Sequence, residues 1–176
     1  MTANGAHDRR LSQVLAQETE ALTALVAGRP APPVVLLAQA RRTFAIAGLL
    51  SIAQAEHAVP ARDTCILGTG YAEAACAVLD PVIGPELLAA HRADLRRGEA
   101  RELLLHAEFD LTFIARIGEP VIDDGMLTLT AALSDLLAGM AANERVIPEQ
   151  RQAARTAGDH AHQLAALYSG GDAGSW

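Results

Sequence analysis

The sequence predicts an all-α protein, with six or seven helices packed in a single compact, bundle-like domain around a central apolar helix. Three observations carry that expectation. Half of the 176 residues are apolar but only 3% are aromatic, so the core has to be built from Leu, Ala, Ile and Val, and Ala and Leu lose little on entering a helix. Apolar residues recur at intervals of three and four in window after window, whereas strict alternation is almost absent. Prolines and glycines stand between those windows, where helices begin and end. A chain of this length suits one domain, burying roughly two-thirds of the surface exposed by the unfolded chain. Residues 1–168 are expected to form it, and 169–176, ending in GGDAGSW, to be a disordered tail.

The first helix is expected over Asp8 to Ala27. Leu11, Val14, Leu15, Leu22, Leu25 and Val26 keep helical spacing and Gly28 follows as a stop, which makes an amphipathic outer helix. The second opens at PAPP, with Pro33 in its first turn, and stops before Pro60. It is apolar on nearly every side after Arg42, so it should be the buried central helix. GPELLAAHRADLRRG frames a short helix between Pro85 and Gly98. In EARELLLHAEFDLTFIARIG, 99–118, Ala100, Leu103, Leu104, Ala107, Leu111 and Ile114 form one stripe, and Leu105, Phe109 and Phe113 a second. Two stripes imply burial on two sides. GEPVIDDG reads as a turn-rich connector in which Asp123 or Asp124 caps the following helix. There Met126, Leu129, Leu133, Leu136 and Met140 step by three or four, the seam of a bundle helix. The last helix should run from Pro148 to about Tyr168 and end at Gly170–Gly171.

CILGTGYAEAAC, residues 65–76, looks most like a motif. A dinucleotide fingerprint would need a third glycine or alanine where Glu73 stands, and a second strand that does not follow. Cys65 and Cys76 would lie about 16 Å apart along one helix, far beyond disulfide reach. On a helix, Cys65, Gly68, Thr69, Ala72 and Cys76 instead fall on one face of small side chains, suited to close approach of a second helix. Ala45, Gly48 and Ala55 give the central helix a similar set. Each glycine costs about 1 kcal/mol relative to alanine, so a break at Gly68–Gly70 is the competing expectation.

The net charge is −7 and all fourteen basic residues are arginine. An acidic chain without a basic cluster or aromatic platforms argues against nucleic acid as partner, and the missing lysine removes Schiff-base and Walker-type chemistry. MTANGAHDRRLSQ has no apolar segment of a secretory signal, and the longest apolar stretch, Phe44–Ala53, is about half of what a bilayer requires. The expectation is a cytoplasmic protein with free thiols and no membrane association.

Chemistry has few places to reside. Glu102, His106 and Asp110 stand at i, i+4 and i+8, where flanking carboxylates can fix the tautomer of an imidazole and raise its pKa. His160 falls on the apolar side of the last helix, among Ala153, Ala157, Ala161 and Leu164, while His162 points to solvent. Were His106 and His160 to meet, Glu102 and Asp110 would complete a two-His, two-carboxylate site, although the paired Glu-x-x-His pattern of di-iron bundles is absent. His57 reads as a charge partner at its helix's C-terminus. Arg41 and Arg42 inside an apolar helix need acidic partners from neighbouring helices, or an anionic ligand. No metal or cofactor is expected.

HAEFDLTFI at 106–114 and GDHAHQLAAL at 158–167 resemble two stretches of the all-helical maturation chaperones that bind molybdoenzyme leader peptides. The intervening ARIGEPVIDDG departs from that family, lacking its paired prolines and aromatic residue. The resemblance implies what a helical accessory protein of this size can do. The function expected is that of an accessory or regulatory protein, chaperone-like, which binds a partner or its own copy through a groove between helices. The alternative is an enzyme or a ligand- or metal-binding protein with a His/carboxylate site in its core.

Overall fold

Three prolines set helix starts. Pro33, Pro85 and Pro148 each open a helix, where a missing N–H costs nothing and a fixed φ helps. A computed structural model describes residues 4–28, 31–57, 62–95 and 119–169, with the side chains of 15–28, 31–51, 66–90, 93 and 124–169. Within them the chain forms α1 (Asn4–Ala27), α2 (Pro33–His57), α3 (Arg62–Ile83), α4 (Pro85–Leu95), α5 (Glu119–Ala142) and α6 (Pro148–Tyr168), with no strand among the described residues. The architecture is an all-α helical bundle.

α2 touches each of the other five helices and packs most extensively on α3. It is the central helix, as its sequence predicts. α3 packs in turn on α6, α6 on α5, and α5 closes the ring against α2, while α1 lies along α5 and α4 crosses the end of α2 and α3. The core between them is aliphatic: Leu22, Leu37, Ile46, Leu79, Leu129, Leu133, Leu137 and Leu164 are fully buried around Phe44. The seam Met126, Leu129, Leu133, Leu136 and Met140 is buried throughout. On α1 the stripe holds at Leu15 and Leu22, but Val26 is 55% exposed, because the helix's last turn runs past the packed ring.

α3 is continuous through GTG. Gly68 faces Ser51 so closely that a Cβ there would lie 2.9 Å from the Ser51 hydroxyl, and a Cβ on Gly48 would lie 3.1 Å from that of Ala72. Helix packing therefore supplies what glycine's poor helix propensity loses. From the floor of the contact, Thr69 donates to the Gly48 carbonyl at 3.4 Å and Cys76 to the Arg41 carbonyl at 3.5 Å. The break expected as the competitor does not occur, and Cys65 and Cys76 lie on one helix, out of reach of each other. Pro81 sits near the end of α3, exposed, where losing one backbone bond is tolerated. Gly84, at φ 90°, then turns the chain into α4.

One boundary differs from the sequence expectation. Residues 119–125 are not a connector; they are the first two turns of α5, so Asp123 and Asp124 lie inside a helix rather than capping one. The reason is α1. Leu15 packs so closely on Gly125 that a Cβ there would stand 2.5 Å from the leucine Cδ1, making Gly125 a contact point rather than a turn residue. The helix expected over 99–118 and, of the tail expected at 169–176, all but Ser169 lie outside the described residues.

Gly68 and Gly70 give a paired test, because nothing lies within 4 Å of a Cβ on Gly70. Gly70→Ala should stabilise the protein by about 1 kcal/mol through helix propensity. Gly68→Val should destabilise it by about 1–3 kcal/mol through overpacking. Urea unfolding of the two variants beside the parent protein reads both signs.

Candidate functional site

α2 and α3 run antiparallel, with Ser51 beside Gly68, Gly48 beside Thr69 and Ala72, and Arg41 beside Cys76 and Asp80. Small residues hold the two axes close at the contact, while Leu49 on α2 and Glu73 and Ala77 on α3 stand exposed beside it and the buried Phe44 contributes to the lining. The result is an open groove of about 390 Å³ on the flank of the α2/α3 pair. One end is apolar: Leu49 lines it, 38% exposed, and Ile66 continues the same side of α3, 53% exposed. The other end is ionic. Arg41 Nε donates to Asp80 Oδ1 at 2.8 Å, and the arginine side chain is only 12% exposed.

Burial by itself would lower the pKa of the Arg41 guanidinium. The hydrogen bond donated to Asp80, with Cys76 and Asp80 close by, outweighs it and holds the pKa above the ordinary arginine value. A group whose pKa rises on folding contributes stability that is complete below its unfolded pKa and is lost as pH climbs through the folded one. For Arg41 that window lies above the ordinary arginine range, so its charge at the groove's end is permanent under working conditions.

The adjacent arginine points to the other side of α2. Arg42 Nε and Nη2 donate to Glu18 Oε1 at 3.1 and 3.0 Å, while Gln39 Nε2 donates to Glu18 Oε2 at 3.1 Å. Glu18 is buried, at 8% exposure, and this network ties α1 to α2. Of the two arginines read from the sequence, only Arg41 lines the groove, and both have the acidic partners that their burial demands. Those partners were legible in outline. Asp80 stands four residues beyond Cys76 on the small-residue face, and Glu18 interrupts the apolar stripe between Leu15 and Leu22.

His160 is not in the core. It is partly exposed at the α3/α6 seam, its ring stacked on Tyr71 with centroids 6.3 Å apart and its Nδ1 3.0 Å from Gln163 Oε1. Ala157, Ala161 and Leu164 take the buried face and leave it at the edge. His162 is exposed as expected, with Nδ1 at 2.9 Å from the Gly158 carbonyl oxygen, beside a second groove between α5 and α6 lined by Ala138, Ala141, Ala154 and Gly158. Glu102, His106 and Asp110 lie outside the described residues, as do the side chains of His57, Ala55 and Cys65. Among the described residues no three His, Cys, Asp or Glu side chains are placed to hold a metal ion. Ser51 and Tyr168, which no sequence pattern singled out, share a hydrogen bond of 2.7 Å between α2 and the last residue of α6.

Three stretches, Pro33–Ser51, Ile66–Ile83 and Asp124–Ala142, are long and apolar enough to cross a membrane by length and composition. Counting uninterrupted apolar runs alone overlooks them, because scattered charges divide each stretch. No known protein family, curated protein or solved structure matches the chain.

Glu18→Gln keeps the shape of the α1/α2 network but removes its charge. It should cost about 1–3 kcal/mol in urea unfolding, whereas Asp135→Asn on the exposed side of α5 should stay within about 0.5 kcal/mol.

Proposed function

We propose that this chain is a helical accessory or regulatory protein of the cytoplasm, chaperone-like, that holds a helix of a partner protein in the α2/α3 groove. The observation that carries the reading is the groove itself: an open, mostly apolar trough beside a tightly closed helix pair, with exposed aliphatic side chains at one end and a fixed ion pair at the other. Such troughs suit an amphipathic helix laid lengthwise, its apolar side chains anchoring at intervals of three and four. Self-association through the same face is the variant reading. The His/carboxylate alternative draws less support, since His160 sits at an edge, engaged with Tyr71 and Gln163.

The part of this reading that keeps the chain out of the bilayer is supported by the charges within the three apolar stretches. Arg41 and Arg42 lie within the first, Glu73 and Asp80 within the second, and Asp135 within the third. Ionised side chains at bilayer depth are costly. After lysis and an alkaline carbonate wash, the protein should remain in the supernatant; recovery in the membrane pellet would overturn this part of the reading.

The groove is tested by obstruction. Ala77 stands exposed on its α3 wall, so Ala77→Trp blocks it without touching the core. Affinity purification from the native cells should recover one partner with the parent protein and with the surface control Gln152→Trp, but not with Ala77→Trp. Equal recovery with all three would place binding elsewhere, and a monomer with no partner would end the reading.

A further inference from the structure

We infer that the helix taken by the α2/α3 groove carries one cationic side chain within its apolar stripe, set against Glu73. This rests on the groove being the docking site and adds the chemistry of the occupant. At the ionic end Arg41 and Asp80 neutralise each other at 2.8 Å. Glu73 stands midway along the α3 wall, exposed, with no hydrogen-bond or ion-pair partner among the described residues. It is the groove lining's uncompensated charge among the described residues.

A wholly apolar helix laid over Glu73 would strip water from the carboxylate and return nothing, which is costly for a charge. An acidic helix would add repulsion. A guanidinium or ammonium group replaces the lost water with a charge-assisted bond and fixes the register of docking. Ile66, Glu73 and Asp80 follow one another at two-turn intervals on α3, about 10 Å apart. The occupant therefore has aliphatic anchors over Ile66 and Leu49, a cation about 10 Å further on, and neutral polar groups at the Arg41–Asp80 end. A second copy of this chain fits less well. Two such faces would bring together two unpaired Glu73 carboxylates and two arginines already held by Asp80.

The test uses the full chain and three fluorescein-labelled alanine-based peptides of about 18 residues, long enough for five helical turns. Their leucine stripes are identical, and the central stripe position holds Arg, Gln or Glu. Fluorescence anisotropy should rank them Arg, Gln, Glu in falling affinity, with about a ten-fold or larger gap between the first and last. Glu73→Arg should reverse the order, and Ala77→Trp should abolish binding of all three. Equal affinities that vanish in Ala77→Trp overturn the cation while sparing the groove. Absence of binding, or binding that survives Ala77→Trp, overturns both. A photoreactive side chain at position 77 that cross-links to the same chain or to a second copy, rather than to the Arg peptide, overturns the choice of occupant.

Discussion

The closeness of α2 and α3 is the constraint from which the remaining geometry follows. A further carbon would crowd Ala72 at Gly48 and collide with Ser51 at Gly68. At that separation, side chains as short as Thr69 and Cys76 reach main-chain carbonyls of the neighbouring helix, where in a wider pair they would reach only side chains. Dispersion contacts are individually weak but numerous at such a seam. The groove lies along the same seam: Gly48, Thr69, Ala72 and Cys76 line it, with Leu49, Glu73 and the Arg41–Asp80 pair around them.

Charge completes what small residues begin. Neighbours on a helix point about 100° apart, and α2 uses that angle at Arg41 and Arg42. One side chain reaches Asp80 on α3, the other Glu18 on α1. Two adjacent codons thus connect three helices. A partly buried ion pair is a weak source of net stability, but its geometry is demanding, and a register slip of α2 against either neighbour would leave a charge stranded. The pairs specify alignment more than they add energy.

Much of the fold was legible because helix periodicity and proline placement are local signals. The seam from Met126 to Met140, the starts at Pro33, Pro85 and Pro148, and the small face of α3 were all readable one helix at a time. What misled was residue type where a distant partner decides the outcome. GEPVIDDG has turn composition, yet Leu15 on α1 needs a glycine at position 125, and the segment winds into α5 around that contact. His160 has apolar neighbours at three and four, but those take the buried face and leave it partly exposed, stacked on Tyr71 far away in sequence. Residue spacing marks Gly68–Gly70 as the competing site of a helix break but says nothing of where the groove lies. It lies beside an unbroken helix rather than in a gap, because small residues on both helices closed the gap.

The hydrogen bond between Ser51 and Tyr168 spans 117 positions of sequence. Ser51 also faces Gly68, so the tightest point of the α2/α3 seam is buttressed by the last residue of the final helix. Loop closure over such a span is entropically slow. During synthesis the α2/α3 hairpin emerges first and can pair locally, but its buried hydroxyl acquires this partner only after α6 has left the ribosome. The helix pair is thus old in the order of folding, and the bond that steadies its tightest contact is among the last to form.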